Sequence, residues 1–164
     1  MILTVGNKVI YPSKGPCLIG PVVEKVIDGR PISFYPLAVL DNSGGALFIP
    51  VDNVRPPGVR ELLGKSEIPK LLRHLRKAAV TAKNWKQRSM DNLKLLTSGS
   101  AFDLAEIVDS LTALGGTRVL SAHDVRTLDR AKKLLICEIS EVTGETKSAA
   151  EERVDKALKG QKRE

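Results

Sequence analysis

The stretch RPPGVRELLG, residues 55–64, separates two halves of the sequence that have different hydrophobic patterns. Its Pro-Pro-Gly run interrupts regular structure, because proline lacks a backbone N–H donor and glycine is conformationally free. Before this stretch, short apolar runs alternate with turn residues, whereas apolar residues after it recur at helical spacing. We therefore predict two domains, an all-β domain at residues 1–56 and a helical domain at residues 57–164.

The N-terminal half contains short runs rich in β-branched and aromatic residues, at 8–11, 17–20, 21–27, 32–40 and 46–51. Turn residues separate these runs, and the expected hairpin tips are Asp28-Gly29 and Gly44-Gly45. Short strands at spacings of about ten residues are typical of a small β-barrel or a strongly bent antiparallel sheet. The sequence therefore predicts an α+β fold, with the barrel or sheet first and a helical bundle second.

The C-terminal half predicts helices near residues 66–78, 84–97, 100–115, 121–144 and 148–158. The expected N-terminal caps are Ser66, Ser100 and Ser121, because a serine hydroxyl can accept a free N–H of the first turn. Gly99 suits the left-handed position after the second helix. In that helix, the expected buried stripe comes from Leu93 and Leu96, with Met90 beside them.

The net charge of +7 is concentrated in one part of the chain. Residues 65–94 carry nine basic side chains against two acidic ones, and no acid occurs from Lys70 to Met90. Helical spacing also places three of these cations on one face, namely Arg73, Arg76 and Lys77. A concentrated positive surface attracts a polyanion, so nucleic acid is the leading partner, with a solvated helix face as the alternative.

The sequence contains no recognisable catalytic or cofactor motif. It has no Gly-rich phosphate loop, no HExxH zinc motif and no GxSxG nucleophile turn. Cys17 and Cys137 have no partner at ligand spacing, so we interpret both as reduced, buried thiols. The acidic pair Glu138 and Glu141 is interpreted as part of ordinary helix ion pairs. We expect a binding protein rather than an enzyme, with no metal, no cofactor and no small-molecule substrate.

The expected location of the protein is the cytoplasm. No apolar run reaches the roughly 18 residues of a membrane span. The N-terminus also lacks the charged and apolar regions of a secretory leader. We further expect the protein to be a monomer.

Trp85 is the only tryptophan of the chain, and it lies among cations at the start of the second predicted helix. One role is structural, with the indole packed over the helix start as an apolar staple. The other is functional, with an exposed indole inserted as a wedge into the minor groove of DNA or stacked on unpaired bases. The nearby helix start favours phosphate binding, because its N–H groups are unpaired and its dipole end is positive.

Four stretches resemble the CarD family of bacterial transcription regulators. They are VGNKVIYPSKGPCLIG at 5–20, IPVDNVRPPGVRELL at 49–63, NWKQRSMDNLKLLTSGSAFDLAEIVDSL at 84–111 and LSAHDVRTLDRAKKLLICEIS at 120–140. The resemblance implies an N-terminal Tudor-like (SH3-like) barrel, shared with transcription-repair coupling factors, that binds the β subunit of RNA polymerase. It also implies a helical domain that contacts promoter DNA at the upstream edge of the transcription bubble, near the −10 element. There the family's tryptophan wedges into the minor groove and stabilises the open complex.

Residue by residue, the resemblance implies polymerase contacts at Lys25, Ile27, Phe48, Ile49, Pro50 and Arg55. It implies DNA contacts at Lys83, Asn84, Trp85, Lys86, Arg88, Arg126, Lys132 and Lys133. The chain departs from some relatives at Phe48, where a basic residue is often found, and at Val125, where some have lysine. The alternative function is a non-catalytic protein-interaction module with a basic face, a buried tryptophan and no specific DNA role.

Overall fold

The computed structural model describes residues 3–52, 57–79 and 84–161. The strands are β1 (Lys8–Tyr11), β2 (Gly15–Ile19), β3 (Val23–Ile27), β4 (Arg30–Val39) and β5 (Ala46–Pro50). The helices are α1 (Ile68–His74), α2 (Trp85–Thr97), α3 (Ala101–Gly115), α4 (Ala122–Thr143) and α5 (Lys147–Lys159). The predicted α+β fold is confirmed. Within the described ranges, no helix is both long enough and apolar enough to cross a membrane.

The strands form one antiparallel sheet around the long strand β4. One edge of β4 pairs with β2 and β3 in succession, and the other edge pairs with β5. The predicted tip Asp28-Gly29 joins β3 to β4, with φ of 50° and 76° at its two residues, as a two-residue hairpin turn requires. In residues 3–52 the ladders run β1-β2-β4-β3 with β5 on β4, so closure of the sheet into a barrel stays a prediction.

The sheet and the helices each have an apolar core. The sheet core includes Cys17, Ile19, Leu37 and Ile49, whereas the larger helical core is built mainly from α1, α3, α4 and α5. Both cysteines are buried and free, as predicted. Burial raises the pKa of the Cys17 thiol to about 11, which makes it a poor nucleophile at neutral pH.

Serine caps fix where α3 and α4 begin. Ser100 Oγ accepts the N–H of Asp103 at 3.3 Å, and Ser121 Oγ accepts the N–H of Asp124 at 3.1 Å. Both caps were predicted from the sequence. Gly99 has a φ of +88°, so the left-handed conformation predicted after α2 is confirmed.

The first predicted helix is wrong in both its cap and its length. Ser66 lies inside a short 3-10 turn, and α1 begins only at Ile68, because Glu67 turns back and accepts the N–H of Gly64 at 2.9 Å. At the other end, Asp109 accepts the N–H groups of Ala78 at 2.7 Å and of the next residue at 3.1 Å. Because these N–H groups bond to Asp109, they make no hydrogen bond within the helix. The helix therefore ends at His74 instead of continuing to residue 78.

Arg60 joins the sheet to the helices. Its backbone pairs with Ile10 of β1 through hydrogen bonds of 2.8 and 3.2 Å. Its guanidinium donates two hydrogen bonds, of 2.8 and 2.7 Å, to the carboxylate of Glu138 on α4. Glu138 is 1% exposed and also accepts the N–H of Leu63 at 2.9 Å. The predicted ion pair of this glutamate therefore exists, but it is buried between the two halves of the fold instead of lying on a solvated helix.

Further contacts hold β2 and its neighbours against α4. Gly15 of β2 lies directly under Leu134 of α4. Lys8 of β1 pairs with Glu141 at 2.6 Å, as a second ion pair between sheet and helix. The predicted boundary at residue 56 lies outside the described residues, and the segments on either side of it are in contact.

Removing the guanidinium of Arg60 should destabilise the whole chain. Arg60→Met leaves the Glu138 carboxylate buried without its cation, so the free energy of unfolding should fall by about 3 kcal/mol. Urea unfolding of the full chain measures this. Lys8→Met is the matched control, because it breaks a more exposed pair and should cost less than about 1 kcal/mol. Equal small losses in both variants would contradict this role for Arg60.

Candidate nucleic-acid and protein interfaces

Trp85 is the first residue of α2, and its indole lies in solvent. The side chain is 65% exposed. Asn84 caps the helix, with its side-chain oxygen accepting the N–H of Gln87 at 2.9 Å. The ammonium of Lys86 lies 5.8 Å from the centre of the indole ring, within cation–π range. The structural role, an indole packed over the helix start as an apolar staple, therefore does not fit a side chain with this exposure.

Two more large apolar side chains of α2 face solvent beside Trp85. Leu93 and Met90 are exposed, so the prediction that they belong to the buried stripe is wrong, whereas Leu96 packs against the helical core as predicted. Arg88 and Asn92 share the buried face with it. Trp85 and Leu93 lie about two helical turns apart, and the half-buried Ser89 between them bonds to His123. The exposed apolar area of α2 is therefore divided into separate side chains.

The guanidinium of Arg88 points into the protein. Arg88 is 7% exposed and donates to Asp124 of α4, with Nη2 2.9 Å from Oδ2 and Nε 3.4 Å from Oδ1. Asp124 is itself buried. The family resemblance implied a DNA contact at Arg88, whereas the structure engages its guanidinium in an internal ion pair. The pair fixes the first turn of α2, and with it Trp85, against the first turn of α4.

The starts of α2 and α4 lie side by side. Besides the Arg88–Asp124 pair, Ser89 Oγ and His123 Nε2 share a hydrogen bond of 2.9 Å. Each helix start has N–H groups without intrahelical partners and carries the positive end of the helix dipole. Two such ends next to an exposed indole form a surface that favours a negatively charged, partly apolar ligand.

The other predicted DNA contacts fall into three groups. Asn84 and Lys86 are exposed beside the indole. Arg126 and Lys133 are exposed on α4 and lie on one face, because seven residues make two helical turns. The ammonium of Lys132 instead pairs with Asp155 of α5 at 2.6 Å. Lys83 lies outside the described residues.

A second candidate surface is the face of the sheet that points away from its core. Lys25, Ile27 and Phe48 are exposed on this outer face. The ammonium of Lys25 lies 3.4 Å from the centre of the Phe48 ring, and Phe34 packs edge-on against that ring at 6.3 Å. The result is an apolar patch with one cation held over an aromatic ring.

Not every predicted polymerase contact lies on the outer face. Ile49 is 2% exposed and packs into the sheet core, so its side chain cannot face a partner. The half-buried Pro50 shares the outer face with Phe48, because alternate strand residues point to the same side. Arg55 lies outside the described residues.

Sequence reasoning missed two parts of these surfaces. Val23 and Phe34 lie across from each other in the β3–β4 ladder, on the same face as Lys25. The alternation of Val23, Lys25 and Ile27 was the signal that could have found this face. The pairing of Arg88 with Asp124 had no sequence signal, because the two residues are 36 positions apart.

The described residues contain no group of three histidine, cysteine, aspartate or glutamate side chains placed to hold a metal ion. Some of their ionisable side chains form ion pairs, and the two candidate surfaces present charge and exposed apolar area.

Comparisons with known proteins place the chain in a family. Residues 68–155 match a family model described as “CarD, C-terminal domain”. A protein of Bacillus subtilis (strain 168), named “Putative transcription factor YdeB”, is 26% identical over 147 residues, which cover 87% of this chain and 93% of that relative. Because the family model matches more than half of the sequence, the chain belongs to the CarD family.

Proposed function

We propose that this protein regulates transcription by binding RNA polymerase and promoter DNA together and by stabilising the open complex. The outer face of the sheet contacts the polymerase β subunit. The paired starts of α2 and α4 contact DNA at the upstream edge of the bubble, near the −10 element. Membership of the CarD family and the name of the Bacillus subtilis relative support transcription as the process.

The observation that carries the DNA contact is the exposed Trp85 at a helix start. An apolar wedge needs a large side chain that projects from a rigid base, and proteins that kink DNA insert such wedges between base steps from the minor groove. The indole provides the apolar area, while Lys86 and the free N–H groups of the first turn provide contacts for the flanking phosphates. An indole buried in the core, as the interaction-module alternative requires, does not agree with this exposure.

The wedge acts by binding the opened, distorted DNA more tightly than the closed duplex. A ligand with such a preference shifts the equilibrium towards the state that it binds better. A tenfold shift needs only about 1.4 kcal/mol of preference. One indole in contact with a partly unstacked base step can supply this amount, since base–aromatic stacking contributes about 1–3 kcal/mol.

In this proposal Arg88 positions the wedge and does not touch phosphate. Its ion pair with Asp124 is buried, so the first turn of α2 cannot tilt without separating two charges inside the protein. Held in this way, Trp85 loses little freedom when DNA binds, which lowers the entropic cost of the contact.

The proposed polymerase surface combines apolar area with a positioned charge. Phe48 and Ile27 supply exposed apolar area, and Lys25 lies over the Phe48 ring. Aromatic anchors of this kind often dominate the affinity of protein interfaces. In addition, β5 pairs only with β4 among the described strands, so its other edge is available for strand pairing with a partner.

Trp85→Ala should shorten the lifetime of the promoter open complex by about tenfold, because that matches a loss of about 1.4 kcal/mol. The free energy of unfolding should change by less than about 0.5 kcal/mol, since the side chain is exposed. The open-complex lifetime with Trp85→Leu should lie between those of the unaltered protein and of Trp85→Ala, because leucine also serves as a wedge in minor-groove binders. The control is Val26→Ala, which removes an apolar side chain that is 72% exposed and lies in the sheet. An unchanged lifetime in Trp85→Ala would exclude the wedge.

A double substitution separates a positioning role of Arg88 from a phosphate contact. Arg88→Met alone should destabilise the chain by about 3 kcal/mol, because Asp124 stays buried and unpaired. Arg88→Met with Asp124→Leu should recover most of this stability but only part of the affinity for promoter DNA, because an apolar pair holds the start of α2 less strictly, and the salt slope should stay unchanged. Urea unfolding and DNA titration at several salt concentrations measure both. If stability returned but DNA affinity stayed low, with a reduced salt slope, Arg88 would contact phosphate directly.

Substitutions on the outer face of the sheet should weaken capture of the polymerase β subunit by the full chain. Phe48→Ala and Lys25→Glu each alter the patch, and a loss of at least about tenfold in affinity is expected for a central aromatic anchor. Val26→Ala is again the control, because Val26 alternates with Lys25 and Ile27 and points to the other side. Equal loss in Phe48→Ala and Val26→Ala would place the contact elsewhere.

A further inference from the structure

A cationic recess lies at the far end of the helical bundle from Trp85. It has a volume of about 600 Å³ and lies between α1, the end of α4 and α5. Four basic side chains line it, namely Lys65, Arg73, Arg76 and Arg153. Ile68 and Leu72 contribute apolar walls. The volume falls within the range of about 300–1,000 Å³ that is common for small-molecule sites.

Three of these four cations have no acidic partner within the described residues. Lys65, Arg73 and Arg76 make no ion pair there. Arg153 pairs with Glu145, and both side chains of this pair stay partly exposed. The hydrogen bond from Arg153 holds the pKa of Glu145 below its usual value. The recess therefore concentrates positive charge that the protein itself does not neutralise.

The recess is separate from the proposed DNA surface. In α4, Asp124 lies beside the start of α2, and Thr143 at the other end of the helix lines the recess. These residues are 19 positions apart along one helix, which corresponds to about 28 Å. A contact to promoter DNA at Trp85 therefore leaves the recess open to another ligand.

We propose that this recess binds a polyphosphate anion of nucleotide size. A phosphate chain packs several negative charges into one short segment, and its oxygens match the planar fork of arginine. An acidic peptide carries its carboxylates on flexible side chains that lose freedom when they bind, whereas a phosphate chain carries its charges on the chain itself, so the phosphate chain loses less entropy for the same contacts. A DNA duplex presents its phosphates on a convex surface that does not enter a recess. The apolar walls beside the cations suit a nucleobase.

Isothermal titration of the full chain at low salt tests this, with tripolyphosphate and ATP as probes. Lys65→Ala/Arg73→Ala should weaken binding of both probes by at least about tenfold, because charge-assisted hydrogen bonds are lost. The matched control is Lys14→Ala/Arg30→Ala, which removes two exposed cations of the N-terminal half that do not line the recess and should change affinity by less than about twofold. Thermal unfolding without ligand should confirm that both double variants are folded.

The outcomes decide the proposal and identify the source of the phosphate. If ATP binds more tightly than tripolyphosphate, the apolar walls contact the base. If the two probes bind equally, the recess recognises the phosphate chain alone. Arg73→Lys should bind both probes more weakly than the unaltered chain, because lysine keeps the charge but lacks the bidentate fork. Unchanged affinity in Lys65→Ala/Arg73→Ala, or an equal loss in the control pair, would overturn the proposal.

Discussion

The buried carboxylate of Glu138 is the interaction on which the arrangement of this protein depends. It accepts hydrogen bonds from the guanidinium of Arg60 and from the backbone of Leu63. Because the backbone of Arg60 also pairs with β1, the same residue connects the sheet to α4. Fourteen residues earlier on α4, or about 21 Å along its axis, Asp124 holds Arg88 and the start of α2. The helix thus links the outer face of the sheet to Trp85 through two buried ion pairs.

Such pairs specify geometry more than they add stability. Removing two charges from water is costly, and well-packed apolar residues of similar volume are often as stable or more stable. An ion pair, however, requires its partners at one distance and one orientation, whereas apolar contacts tolerate sliding. A protein that contacts polymerase with one surface and DNA with another benefits from a fixed relation between the two, because less freedom is lost when both contacts form. This accounts for the two ion pairs of α4 that contain a buried carboxylate, with Arg60 and with Arg88.

The sequence predicted those features that local chemistry determines. Turn residues gave the β3–β4 hairpin tip at Asp28-Gly29, and serine caps gave the starts of α3 and α4. The errors arose where distant residues decide the outcome. Asp109 ends α1 early by accepting N–H groups from a segment 30 positions away. Arg88 turns inward because Asp124 lies across the bundle, and Leu93 is therefore exposed. No periodicity or motif within a short window contains such information.

The central claim is that Trp85 contacts opened promoter DNA, and its fluorescence tests this directly because it is the only tryptophan of the chain. Iodide quenching of the free protein should be strong, since the indole is exposed. Adding a promoter duplex with an unpaired segment at the −10 element should shield the indole from iodide, and a fully paired duplex of the same sequence should shield it less. Iodide quenching that is the same without DNA, with the paired duplex and with the opened duplex would contradict the account.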